Sequence, residues 1–234
     1  MTILNNLLIS NREVTMSTQI KRTSLVIFAG ATLIVLVLLV VLFFPGKAIE
    51  ASAAEKVQVA LSSLDESVRT TMEEDPILGF SSNPYDYISD GKNEYYNSII
   101  ALGPEALPEL ERTLRGSDHS GLTEYLICIA IEEVSGADVR AIEQDPFAWS
   151  DADEFEKKWT EIKESLPESI NEILYSRELS NQEKMYRIEV YGLLAVPVIE
   201  DLLSEKKLDV NLSASLSDYV SKHPLSESEK SALR

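Results

Sequence analysis

The stretch Ile99-Ile100-Ala101-Leu102-Gly103-Pro104-Glu105-Ala106-Leu107-Pro108-Glu109-Leu110-Glu111-Arg112-Thr113-Leu114 has a partner 89 residues further on. That partner is Ile188-Glu189-Val190-Tyr191-Gly192-Leu193-Leu194-Ala195-Val196-Pro197-Val198-Ile199-Glu200-Asp201-Leu202-Leu203. Ile, Gly, Ala, Pro, Glu and Leu recur in register, and Leu107/Val196 and Leu110/Ile199 match as apolar pairs. Each stretch describes the same joint. One helix ends at a Gly, which suits the left-handed position after a helix, and the next begins within a residue or two. A Pro sits in or near the first turn, where its missing N–H costs nothing. A small Ala allows close packing.

Helical patterns run outward from this joint in both directions. Val57, Leu61, Leu64, Val68 and Met72 are spaced 4, 3, 4 and 4, an apolar stripe that predicts a helix over 47–75, ended by Pro76. Residues 76–91 are rich in turn formers and read as a long loop carrying Phe80, Tyr85 and Tyr87. Short helices are expected over 93–102 and 104–115. Residues 122–135 are apolar nearly all round and predict the central buried helix, closed by Gly136. A second long connection, 137–150, carries Phe147 and Trp149. Phe155, Trp159, Ile162 and Leu166 predict a helix over 151–166, and Pro167 is expected to start another. Ser180 with Glu183, and Ser226 with Glu229, have the capping-box spacing that opens a helix. No stretch alternates well enough to predict a strand.

The Gly-x-x-Ala-[Leu/Val]-Pro joint between amphipathic helices resembles the HEAT/armadillo-type helical repeats. The likeness covers 93–135 and, more weakly, 180–222, and the 89-residue interval is about two repeats of that family. The middle region lacks the joint, so the regular stacking departs from the family pattern there. The resemblance implies an all-α fold of stacked helix pairs and a role in binding other proteins. It carries no catalytic residues.

Residues 25–44 read LVIFAGATLIVLVLLVVLFF, twenty residues without a charge. A helix of that length crosses the roughly 30 Å hydrocarbon core. Lys21 and Arg22 precede it, and Lys47 follows. The positive-inside bias predicts a cytoplasmic N-terminus, 1–24, and an outer domain beyond a single-pass anchor in the cell membrane. The expected organisation is therefore tail 1–24, membrane helix 25–44, juxtamembrane helix 45–75 and acidic helical domain 76–234. The alternative is a signal peptide cut after Ala53, since Ala51-Ser52-Ala53 is a small-x-small triplet. The apolar run is longer than a signal peptide's hydrophobic region, which favours the anchor. No cysteine follows the run closely, so a lipoprotein is ruled out. Translation could also begin at Met16.

The net charge is −18, with 21 bases and 39 acids. Three bases and one acid precede Pro45, so the outer part carries 18 bases against 38 acids. Such a domain repels phosphate backbones, and no nucleic-acid partner is expected. Cys128 stands alone, so no disulfide forms within the chain, and its apolar surroundings predict an inert buried thiol. His119 and His223 fall in turn-like contexts and read as exposed loop histidines. No motif for a metal, cofactor or catalytic centre is present, and the chain is not expected to be an enzyme. Asn211-Leu212-Ser213 is a glycosylation sequon, which matters only in a eukaryote.

The function expected is protein–protein interaction by an extracytoplasmic helical domain. Tyr85, Tyr87, Tyr96 and Trp149 are the candidate anchors for a protein partner. Two other readings stay open. One is an envelope hydrolase using a carboxylate pair, which needs two facing acids with one pKa strongly raised. The other is a homodimer formed through the 57–72 stripe.

Overall fold

In the computed structural model, residues 51–81, 83–88, 93–205 and 208–234 are described. The expected cytoplasmic tail and the membrane helix 25–44 lie outside these residues, as do 45–50 of the juxtamembrane segment. Among the described residues, no helix is long and apolar enough to cross a membrane. Every element among them is an α-helix or a 3-10 turn, so the domain is all-α as the sequence predicts.

Helix α1, Ala53–Glu74, opens on a capping box. The Glu55 amide donates to Ser52 Oγ at 3.2 Å, and the Ser52 amide donates back to Glu55 Oε2 at 2.8 Å. Its stripe of Val57, Leu61, Leu64 and Val68 is buried. Asp75 ends α1 and caps α2, Pro76–Gly79, by accepting from the Ile77 and Leu78 amides. The expected loop continues with a 3-10 turn, Pro84–Tyr87, and is packed by its own Tyr87, whose hydroxyl donates to Leu78 O at 2.7 Å.

Asn93 caps α3, Glu94–Ile100. Gly103 then takes a left-handed φ of 60°, and Gly103–Ala106 form a 3-10 turn before α4, Leu107–Arg115. The helix expected from Pro104 thus begins three residues late. Pro108 lacks the N–H that an α-type bond to Pro104 O requires, so the turn closes instead through the Leu107 amide. The stripe of α1 packs on α3 and α4, so a dimer through 57–72 would find that apolar face already covered by its own chain.

Helix α5, Leu122–Ser135, is the central helix predicted from its composition. It is buried from Leu126 to Ile131 and touches α1, α3 and α4. Gly136, at φ 67°, ends it. The second expected connection holds a short helix α6, Val139–Glu143, capped by Asp138.

Helix α7, Ala152–Tyr175, runs straight through Pro167, where a break and a new helix were expected. Its buried stripe continues in register on both sides of the Pro: Phe155, Trp159, Ile162 and Leu166, then Ile170 and Leu174. Burying Ile170 and Leu174 is worth about 1.5–3 kcal/mol each, which offsets the roughly 3 kcal/mol cost of an interior Pro.

Helix α8, Asn181–Glu189, carries the expected Ser180/Glu183 capping box. A left-handed Gly192 at φ 52° opens the 3-10 turn Gly192–Leu194 that leads into α9, Ala195–Ser204. The local path after Gly103 is thus repeated after Gly192. Helix α10, Val210–Lys222, packs on α9 and α8. The last helix, α11, Glu227–Leu233, opens on the Ser226/Glu229 box and packs against the 103–106 turn.

Candidate functional site

Three of the four aromatic anchors expected from the sequence are inside the domain. Tyr87 is 5% exposed, Tyr96 3% and Trp149 2%, whereas Tyr85 is 50% exposed. Each placement has a physical cause. Tyr96 lies on the inner side of α3, and its hydroxyl donates to Glu133 Oε2 at 2.8 Å. Burial, then the Glu133 carboxylate, pushes its pKa far up. Trp149 lies edge-on to Phe155 and tilted against Tyr125, each at 4.9 Å between ring centres. The Arg140 guanidinium lies 4.0 Å over its ring and donates to its backbone oxygen at 3.2 Å. Rings this large gain more by covering the core than by standing in solvent. Tyr85 does not join them on a face. It sits beside Glu132, Tyr125 and Arg140, with burial as the first cause of its raised pKa.

The two histidines also differ from expectation. His119 Nε2 lies 2.7 Å from Glu156 Oε2, and its side chain is only 16% exposed. His223 Nδ1 donates to Tyr219 O at 2.9 Å and its ring rests 4.6 Å from that of Tyr219. Cys128 is fully buried, its thiol donates to Glu124 O at 3.2 Å, and burial pushes its pKa up, as expected of an unreactive thiol. Among the described residues, no three His, Cys, Asp or Glu side chains come together as a metal site.

The surface feature that the sequence reading missed is a groove between α6, α7 and α8. One end, of about 600 Å³, is lined by Ile142, Glu143, Glu161, Glu164, Glu168 and Tyr191, among others. The other, of about 500 Å³, adds Glu172, Ile173, Glu183, Tyr186 and Arg187. Both ends share Ile142, Ser169 and Tyr191, so the two form one trough. Its floor is apolar and aromatic. Six glutamates and one cation, Arg187, line its walls.

Helix α7 supplies most of this charge. Glu161, Glu164, Glu168 and Glu172 are spaced 3, 4 and 4, which sets them along one exposed face of the helix. Lys158 reaches Glu143 at 2.7 Å and Glu161 at 3.5 Å, at one end of the row. Like charges at this spacing destabilise an isolated helix by about 0.2–0.5 kcal/mol per pair. Tyr191 marks the floor: burial pushes its hydroxyl pKa up, and Glu143 and Glu172 push in the same direction. Glu183 is held below the usual carboxylate range, first by its bond from Ser180, with Arg187 contributing. The spacing of the α7 acids is visible in the sequence, but their facing α6 and α8 is not.

The trough thus sets carboxylates beside apolar and aromatic side chains. Among the described residues, the carboxyl whose pKa is driven up is Glu132, mainly by burial, and it lies outside the trough. Its Oε1 accepts the Val139 amide at 2.9 Å, which ties the end of α5 to the start of α6.

Compared with known proteins, the chain matches no family model, no curated sequence and no solved structure.

Proposed function

We propose that this chain is a single-pass protein of the cell membrane, anchored by residues 25–44. Its outer helical domain, a HEAT-like stack of helix pairs, docks a cationic segment of another protein. The observation that carries the docking is the trough between α6, α7 and α8, where six glutamates face one arginine over a floor of Ile142, Ile173 and Tyr191. A partner segment with Lys or Arg alternating with aliphatic residues matches both parts. The charges reach the walls and the aliphatic groups cover the floor.

The stacked-pair reading rests on the two joints, where a left-handed Gly, a 3-10 turn and a Pro-bearing helix follow in the same order at 103 and at 192. The anchor rests on twenty uncharged residues with Lys21 and Arg22 on the leading flank. On that reading the N-terminus is cytoplasmic and the trough faces outward.

The test uses the whole chain in detergent micelles and fluorescent peptides of alternating Lys and Leu. Binding should be saturable and weaken steeply with salt. It should be lost in a Glu164→Lys/Glu168→Lys variant that keeps the helical circular dichroism of the parent. Equal binding by that variant, or by a Glu/Leu peptide, removes the trough as the site. A reporter fused after Arg234 that proves cytoplasmic would remove the outward topology. The mass of the mature chain separates the retained anchor from cleavage after Ala53.

A further inference from the structure

At one end of the acidic trough the chain already holds an alkylammonium group of its own. Lys158 Nζ lies 2.7 Å from Glu143 Oε2 and 3.5 Å from Glu161 Oε2. Both carboxylates line the trough, one from α6 and one from α7. A cation at the tip of a methylene stem is thus held between two walls.

Further along α7 the carboxylates have no such partner. Among the described residues, no Lys or Arg forms an ion pair with Glu164, Glu168 or Glu172. All three are exposed and follow at intervals of four residues, about 6 Å of helix rise each. In an extended chain of single bonds, amines three or four methylenes apart stand about 5 or 6 Å from one another. The two spacings match. Beside this row, Ile142, Ile173 and Tyr191 offer the methylenes an apolar surface to cover.

We propose that the row Glu164, Glu168 and Glu172 takes a linear polyamine, with ammonium groups three or four methylenes apart. This rests on reading the trough as the docking groove, and it adds a small molecule that excludes the cationic protein segment. One exposed ion pair is too weak to hold a monoamine. Three ammoniums on one chain act together, because seating the first keeps the others close to their carboxylates. A compact cation of equal charge lacks the stem and leaves the apolar floor uncovered.

The test uses the whole chain in detergent micelles, with spermidine as the probe and titration calorimetry as the readout. Binding should be saturable and weaken with salt. Putrescine, with two ammoniums, should bind about fivefold more weakly. Hexaamminecobalt(III), with the same triple charge and no methylenes, should also bind more weakly than spermidine. Glu164→Gln/Glu168→Gln should weaken spermidine about tenfold at unchanged circular dichroism, and Glu172→Gln alone about threefold. Hexaamminecobalt(III) that binds as tightly as spermidine would overturn the proposal, as would spermidine binding that both variants leave unchanged. A Lys/Leu peptide that binds and is not displaced by spermidine removes the polyamine and leaves the protein docking. Spermidine that binds as expected while the peptide does not removes the protein docking and leaves the polyamine.

Discussion

Gly192 lies directly against Gly136. A methyl group placed on Gly192 would run into the carbonyl of Gly136 and lie 2.5 Å from Ser135 O, whereas one on Gly136 would meet Gly192 Cα at an ordinary 3.7 Å. Both residues are left-handed, at φ 52° and 67°. The end of α5 and the turn before α9 therefore cross backbone to backbone. Neighbouring bonds hold the crossing: the Asp138 amide donates to Val190 O at 2.9 Å and the Tyr219 hydroxyl to Gly192 O at 2.6 Å. Burial pushes that hydroxyl's pKa up to about 12, so it stays a donor at any physiological pH.

Substitutions at the two equivalent joints should therefore differ. Gly103 shares the left-handed backbone, but a methyl there meets nothing within 4 Å. Gly103→Ala should cost about 1–2 kcal/mol, the strain of a left-handed alanine. Gly192→Ala adds an overpacking cost and should lose about 2–5 kcal/mol in all. Urea unfolding followed by circular dichroism gives both values, and equal losses would mean that the crossing yields easily.

Pro167 offers the opposite sign. Its ring stands on the exposed side of α7 and leaves the Lys163 carbonyl without its usual i→i−4 donor. Pro167→Ala restores that donor in a helix whose packing is already continuous. Stability should rise by about 1–3 kcal/mol, read as a higher urea midpoint at unchanged slope. A fall in the midpoint would show that the ring contributes packing of its own.

The pH dependence singles out Glu132. Burial raises its folded-state pKa above the ordinary carboxylate value. The native protein then binds a proton more tightly than the unfolded chain, so the stabilisation is complete below the unfolded pKa. It is lost as pH climbs through the folded pKa. Glu132→Gln keeps an oxygen to accept the Val139 amide and abolishes the titration. Unfolding free energies measured across a pH series should show the wild type losing stability relative to the variant in that window. A constant difference between the two would contradict the shift.

The aromatic side chains should separate by burial. Trp149→Ala empties a site enclosed by Tyr125, Phe155 and Arg140 and should cost about 3–5 kcal/mol. Phe80→Ser, at a side chain 91% exposed, should change stability by no more than about 0.5 kcal/mol. Calorimetric melting checks both. A small effect at Trp149 would restore it as a surface anchor.

What the sequence determined by itself was local. The starts of α8 and α11 are written in Ser180/Glu183 and Ser226/Glu229. The end of α5 is written in Gly136, and the inner face of α1 in the spacing of Val57, Leu61, Leu64 and Val68. Those signals act within four residues, the reach of one helical turn. The tertiary structure decided the rest. Pro167 reads as a helix start until the stripe beyond it is seen to find a core. Tyr96 and Trp149 stand in the sequence as candidate anchors, and only the fold shows Glu133, Tyr125 and Phe155 closing over them. His119 meets Glu156 across 37 residues, and the trough exists only because α6 and α8 flank the acidic face of α7. Burial and pairing depend on which groups arrive from far along the chain, and no window of neighbouring residues contains that information.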